Sequence, residues 1–145
     1  CLTIPRRISV INGKLCQNPI SEMENMRKDH YRLKIGDCYE DFVFEALAIN
    51  NKDSFKIYLR RDVSLSYSDG ILTLDMGDSS FRRDIRQVKI DKISDLRIYS
   101  DKSSLEIFIN EGEYVLTSRV YSEKAGFYSN DLNLDLYTLN SIKFI

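Results

Sequence analysis

Apolar and polar residues alternate one by one along most of this chain, and that period confines it to β-structure. Successive side chains of a strand point to opposite faces, so a half-buried strand reads apolar, polar, apolar. Phe55, Ile57 and Leu59 alternate with Lys56, Tyr58 and Arg60, and Leu96 and Ile98 with Arg97 and Tyr99. Leu105, Ile107 and Ile109 are interleaved with Glu106 and Phe108; Leu132, Leu134 and Leu136 are interleaved with Asn133, Asp135 and Tyr137. Turn signals fall between such runs. Asn12-Gly13 joins 8–11 to 14–17, Asp69-Gly70 joins 63–67 to 71–75, and Asn110-Glu111-Gly112 joins 104–109 to 114–118. These residues tolerate the positive φ that tight hairpins demand. The pattern predicts an all-β fold, an antiparallel two-sheet β-sandwich of jelly-roll-like form. No fixed-period repeat is present, which argues against a solenoid or a complete propeller.

One segment departs from this rhythm. Pro19 suits the first turn of a helix, where its missing N–H has no partner to lose. Ile20, Met23 and Met26 follow at helical spacing, with Glu22 and Glu24 early and Arg27-Lys28 late, in the order a helix dipole favours. A short N-terminal linker helix is therefore expected, broken at Asp29 and His30.

At 145 residues the chain is one domain by length and long enough to hold a core without disulfides. Its net charge of −1 gives no basic excess, which argues against a nucleic-acid partner. No stretch approaches the ~20 apolar residues of a spanning helix, so no membrane partner is expected. The cysteines Cys1, Cys16 and Cys38 form no framework, and a reducing, cytoplasmic compartment is the simpler reading. A lipoprotein also begins with Cys, but strand-like sequence follows here at once, which favours a fragment of a longer chain. With one histidine and no CxxC pair, no metal site is expected.

Candidate chemistry is sparse. Arg60-Arg61-Asp62 and Arg82-Arg83-Asp84 place arginines beside an acid, which keeps it ionised, but they read first as strand-end charge clusters in water. His30 is a candidate general base without a visible nucleophile. Cys16 and Cys38, lacking basic neighbours, read as buried packing groups. No phosphate-cradling loop is present. Nine Tyr and seven Phe offer sugar-stacking surfaces, so a carbohydrate-binding module remains an alternative. The face of Arg97, Tyr99, Glu106 and Phe108 mixes aromatics with charge, which suits a domain or subunit interface better than water.

Residues 95–121, DLRIYSDKSSLEIFINEGEYVLTSRVY, resemble the C-terminal sandwich signature of glycoside hydrolase family 32. The matching set is Asp101, Ser103, Ser104, Glu106, Phe108, Asn110, Gly112, Thr117, Ser118 and Arg119. Residues 2–27 are similar to that family's last propeller strand, linker and short helix, through Leu2, Thr3, Pro5, Arg6, Gly13, Leu15, Gln17, Pro19 and Arg27. Cys16 departs from the pattern, which often has an aromatic there. Between 31 and 94 only strand rhythm is shared. The resemblance implies residues 1–28 as last propeller strand, linker and helix, and 29–145 as the C-terminal β-sandwich. It implies a parent that hydrolyses terminal β-fructofuranosides with retention and without cofactor. The family's catalytic acids lie in propeller motifs N-D-P-N-G, R-D-P and E-C, none of which occurs here, so no catalytic residue is assigned. The implied partners are the catalytic propeller of the same polypeptide, with a homodimer as a further expectation and fructoside met only through the parent. Two other readings stay open: a stand-alone fructoside-binding module, and an unrelated hydrolase using His30.

Overall fold

The computed structural model of the protein describes residues 3–77 and 84–140; Cys1, Leu2, Arg82 and Arg83 lie outside them. The strands are β1 (Arg6–Ile11), β2 (Lys14–Pro19), β3 (Arg27–Leu33), β4 (Phe44–Ile49), β5 (Phe55–Arg60), β6 (Val63–Ser68) and β7 (Ile71–Asp75). They continue with β8 (Ile85–Lys89), β9 (Asp95–Asp101), β10 (Ser104–Ile109), β11 (Tyr114–Arg119), β12 (Tyr128–Ser129) and β13 (Leu134–Leu139). β1 and β2 form a hairpin of their own. A six-stranded sheet runs β11-β10-β9-β4-β13-β3, and a five-stranded sheet runs β12-β5-β6-β7-β8. The pairings are antiparallel, as the alternation implied.

The two larger sheets face each other across one core. Phe44, Ile107 and Leu136 from one sheet meet Ile57, Leu65 and Leu72 from the other, all fully buried. Burying such side chains contributes about 1.5–3 kcal/mol each. Aromatic rings seal one end: Phe44 lies 4.4 Å from Phe127 and meets Tyr39 edge-on at 5.9 Å. The expected turns form. Asn12, Asp69 and Asn110 all take positive φ, near +52°, followed by Gly13, Gly70 and, after Glu111, Gly112. The edge strands β8 and β3 carry exposed Arg86, Lys89, Lys28 and Arg32, which discourage edge-to-edge pairing. Among the described residues no helix is long and apolar enough to cross a membrane.

Four expectations are corrected. The linker helix is a 3-10 segment, Ser21–Met26, and Pro19 closes β2 instead of opening the helix. Arg27, Lys28, Asp29 and His30 belong to β3, because pairing with β13 outweighs continuation of a short helix. Arg60 is not a solvated strand end; it is fully buried, held by the carbonyls of Leu59 and Asp101 at 2.7 and 2.8 Å and lying over Phe42. Cys16 is buried as expected, but Cys38 is exposed, beside Glu40 in the loop before β4.

Candidate functional site

Alternation in β4, β9 and β10 sends one set of side chains into the core and the other to the outer face of the six-stranded sheet. Antiparallel register then lines up that outer set. One row crosses the whole sheet as Thr117, Glu106, Tyr99, Glu45, Tyr137 and His30. The next row brings Phe108 beside Arg97. An outer sheet face of this composition is ordinarily wet, yet Glu45, Tyr99, Glu106 and Phe108 are at most 5% exposed. The cover is the chain's own N-terminal segment.

Two arginines hold that cover down. Arg6, entering β1, donates to Glu106 at 2.7 Å and to Thr117 Oγ1 at 2.8 Å, and its guanidinium sits 5.3 Å from the Phe108 ring centre. Its other arm reaches Gln17 of β2, and the Ile4 amide takes the second Glu106 oxygen at 2.7 Å. Arg27, where the 3-10 segment turns into β3, grips Glu45 with both arms, at 2.7 and 2.8 Å. Its plane rests on Tyr137, 4.2 Å from the ring centre. Tyr99 adds its hydroxyl to the same Glu45 at 3.0 Å, and Arg97 stands at 3.5 Å from that carboxylate and 3.4 Å from Glu24. Tyr99 meets Phe108 edge-on.

The electrostatics follow from this closeness. Hydrogen bonding to Glu45 holds the Arg27 guanidinium above its ordinary pKa, against the opposing pull of burial. Burial raises the Tyr99 phenol, and the Glu45 charge raises it further. A carboxylate that works as nucleophile or general acid on a glycoside must meet the sugar. Glu45 is instead sealed under the Arg27 fork and Glu106 under one arm of Arg6 and the Ile4 amide, the arrangement of a structural clamp.

The other candidates lie apart from this clamp. His30 sits at the far end of the row on edge strand β3, stacked on Tyr137 and 2.9 Å from Asp135. Arg61 pairs with Glu40, while Asp62 takes the Ser122 hydroxyl and lies 3.9 Å from Lys124. The signature residues shape the frame. Asn110 ties the β10–β11 turn to Ser94 and Lys92. Gly112 receives the Gln17 amide at 2.9 Å, fixing the β1–β2 hairpin to that turn. Asp101 supplies the carbonyl for Arg60, Ser103 the carbonyl for Val120, and Ser104 opens β10. Ser118 is buried beside Met76, and Arg119 reaches the Tyr121 hydroxyl. Over the face of Arg97, Tyr99, Glu106 and Phe108, read as a domain or subunit interface, lie Ile4, Arg6 and Arg27 of the N-terminal segment. The residue that reading missed is Glu45. Its signal was an acid inside an apolar run, FEALAI. Among the described residues no group of three or more His, Cys, Asp or Glu is placed to hold a metal ion.

The family described as glycosyl hydrolases family 32 C terminal matches residues 37–143. A probable sucrose-6-phosphate hydrolase of Vibrio cholerae is 30% identical over 132 residues, covering 83% of this chain and 24% of that protein. The sucrose-6-phosphate hydrolase of Bacillus subtilis (strain 168) is 28% identical over 134 residues, covering 83% of this chain and 28% of that protein. The chain thus spans about a quarter of the length of the curated relatives it matches. In three dimensions it superimposes on the sucrose-6-phosphate hydrolase from Lactobacillus gasseri with a TM-score of 0.81 at 21% identity, covering 95% of this chain and 33% of that one. A family 32 β-fructofuranosidase from Bombyx mori superimposes with a TM-score of 0.75 at 20% identity, covering 95% and 32%. These likenesses are likenesses of fold.

Proposed function

Because the chain belongs to the C-terminal family of the family 32 glycosyl hydrolases, we propose that it is the supporting β-sandwich of a β-fructofuranosidase whose catalytic propeller lies upstream on the same polypeptide. The single observation that carries this reading is coverage: 83% of this chain matches only 24% and 28% of relatives named sucrose-6-phosphate hydrolase. In this reading residues 1–28 are the last propeller strand, linker and short helix, and 29–145 are the sandwich. The parent removes a terminal β-fructofuranoside with retention and without metal or organic cofactor, sucrose 6-phosphate being the first substrate to try. The two arginine clamps support a mechanical role, since they bind the linker rigidly to the sheet.

The hairpin supports the same role. Ile8, Val10 and Leu15 are 66%, 70% and 58% exposed on a two-stranded sheet. Apolar side chains grouped on so small a sheet call for a covering surface. The propeller is that cover. The free thiols of Cys16 and Cys38 agree with a cytoplasmic site.

The test uses the longer polypeptide with Phe108→Asp, which forces a charge into the sealed face beside Tyr99. The thermal midpoint of the whole enzyme should fall by more than about 5 °C, with its KM for sucrose 6-phosphate unchanged. An unchanged midpoint overturns the supporting role. Fructoside hydrolysis by the 145-residue chain alone overturns the whole reading, and a two-copy mass for that chain reassigns the hairpin patch to a homodimer.

A further inference from the structure

The β1–β2 turn is the one place in this sequence where a glycine follows an asparagine. Asn12 is exposed at φ +51°, and Gly13 follows at φ +77°. Among the described residues the Asn12 side chain has no hydrogen-bond partner. A Cβ placed on Gly13 would meet nothing within 4 Å, so no neighbour crowds that backbone. The two comparable turns are restrained. Asn110 has nearly the same φ, +52°, but its amide donates to the Lys92 carbonyl at 2.7 Å, its oxygen accepts the Ser94 amide at 2.9 Å, and Glu111 follows it. Asp69-Gly70 offers a carboxylate, a poorer electrophile than an amide, and the Ile90 amide holds the Gly70 carbonyl at 2.9 Å.

We propose that Asn12-Gly13 is a self-deamidation site, and that the carboxylate it forms loosens the β1–β2 hairpin from the β10–β11 turn. The Gly13 nitrogen gives its proton to base and bonds to Asn12 Cγ. The Cγ–Nδ2 bond breaks, and ammonia leaves with a proton from water. Water then adds to one of the two carbonyls of the five-membered ring, and a ring C–N bond breaks. Opening on the Cγ side leaves aspartate; opening on the backbone side leaves isoaspartate. Ring closure requires the turn to rotate, and this turn can yield. It closes a sheet of two strands, which has little stability of its own. The nearby Lys14–Glu113 pair is an exposed ion pair, which contributes little. Such an element opens locally without unfolding the core.

The surroundings give the reaction its consequence. Asn12 shares a shallow groove with Asp95, Glu111 and Glu113, and the cation lining that groove is Lys14, already paired with Glu113 at 2.6 Å. A fourth carboxylate there meets like charge. Isoaspartate also lengthens the backbone within a two-residue turn, which the Ile11–Lys14 pairing cannot absorb. Both products therefore act against the Gln17 amide's bond to Gly112. The inference concerns the hairpin itself and does not depend on the supporting role proposed above.

The experiment incubates the 145-residue protein in mildly alkaline buffer, folded and unfolded in urea, and follows each asparagine by peptide mass mapping. In the folded protein Asn12 should lose its amide within about tenfold of its rate in the unfolded chain, while Asn110 stays intact. Anion exchange then separates the deamidated fraction, whose Gln17 amide should exchange hydrogen at least about threefold faster than in the intact fraction. Asn12→Gly keeps the positive φ of the turn and removes the reacting amide, so its exchange should not change on incubation. If that variant fails to fold, the two fractions of the parent protein decide alone. Folding that slows the Asn12 reaction more than about tenfold overturns the proposal, as does equal loss at Asn12 and Asn110. Equal Gln17 exchange in the two fractions also overturns it, as does faster exchange on incubation of Asn12→Gly. None of these results touches the melting behaviour of the longer polypeptide, on which the supporting role is tested.

Discussion

Glu45 concentrates the energetics of the sealed face. It is fully buried, and its charge is met by both arms of Arg27, by the Tyr99 hydroxyl and by the nearby Arg97. Removing one partner of a buried pair leaves the other uncompensated, which costs more than the pair contributes. Arg27→Ala should therefore lower stability by about 3 kcal/mol, read as a shift in the urea midpoint with little change in slope. Tyr99 gives the pH dependence. Burial and the Glu45 charge keep its phenol protonated above the ordinary range, whereas in the unfolded chain it ionises near pH ~10. The folded state thus holds a proton that the unfolded state has lost, and stability present below that pH declines as pH rises beyond it. Tyr99→Phe should flatten this decline in urea midpoints measured from pH 9 to 11, and a slope identical to that of the parent protein counts against the assignment. Of these residues Tyr99 was legible from alternation alone. Arg60 was not: a register irregularity between Tyr58 and Arg60 turns its side chain inward, and no period-two reading anticipates such a shift. Burial lowers its guanidinium to about 10, and carbonyl oxygens, not carboxylates, accept its hydrogen bonds.

Among the elements, the β1–β2 hairpin depends on a single glycine in a distant turn. Gly112 takes φ +83°, and a Cβ there would collide with the Gln17 carbonyl of β2. Gly112→Ala combines backbone strain with that clash and should cost about 1–3 kcal/mol. Its distinctive signature is faster hydrogen exchange at the Gln17 amide, which bonds to the Gly112 carbonyl, while the β9–β10 amides stay protected. Uniform exchange across both would mean that the hairpin is not held there. The hairpins were readable because Asn-Gly and Asp-Gly act over a few residues. The Ser21–Met26 turn was readable as helical but not as 3-10. Its length is set by β2 and β3 on either side, and β3 begins at Arg27 because Glu45 and Tyr137 engage that side chain.

For the whole molecule, two layers with one apolar face per strand were evident in the residue pattern, since local period dictates which faces must meet. Sheet order was not, because β4 and β9 become neighbours only after four strands cross to the other layer. The sealed outer face was visible as an anomaly of composition, in Glu106 and Phe108 opposite an apolar set. Its occupant was not, because the contact joins Arg6 to Glu106 across 100 positions. The placement of β13 between β3 and β4 has a consequence for synthesis. Among the described residues β3 has β13 as its only neighbour in the sheet, and some hundred residues separate their sequences. On a translating ribosome β3 is made well before β13 and waits unpaired until β13 leaves the exit tunnel, so the layer cannot close, nor Arg27 reach its final seat, before nearly all the described strands have been made.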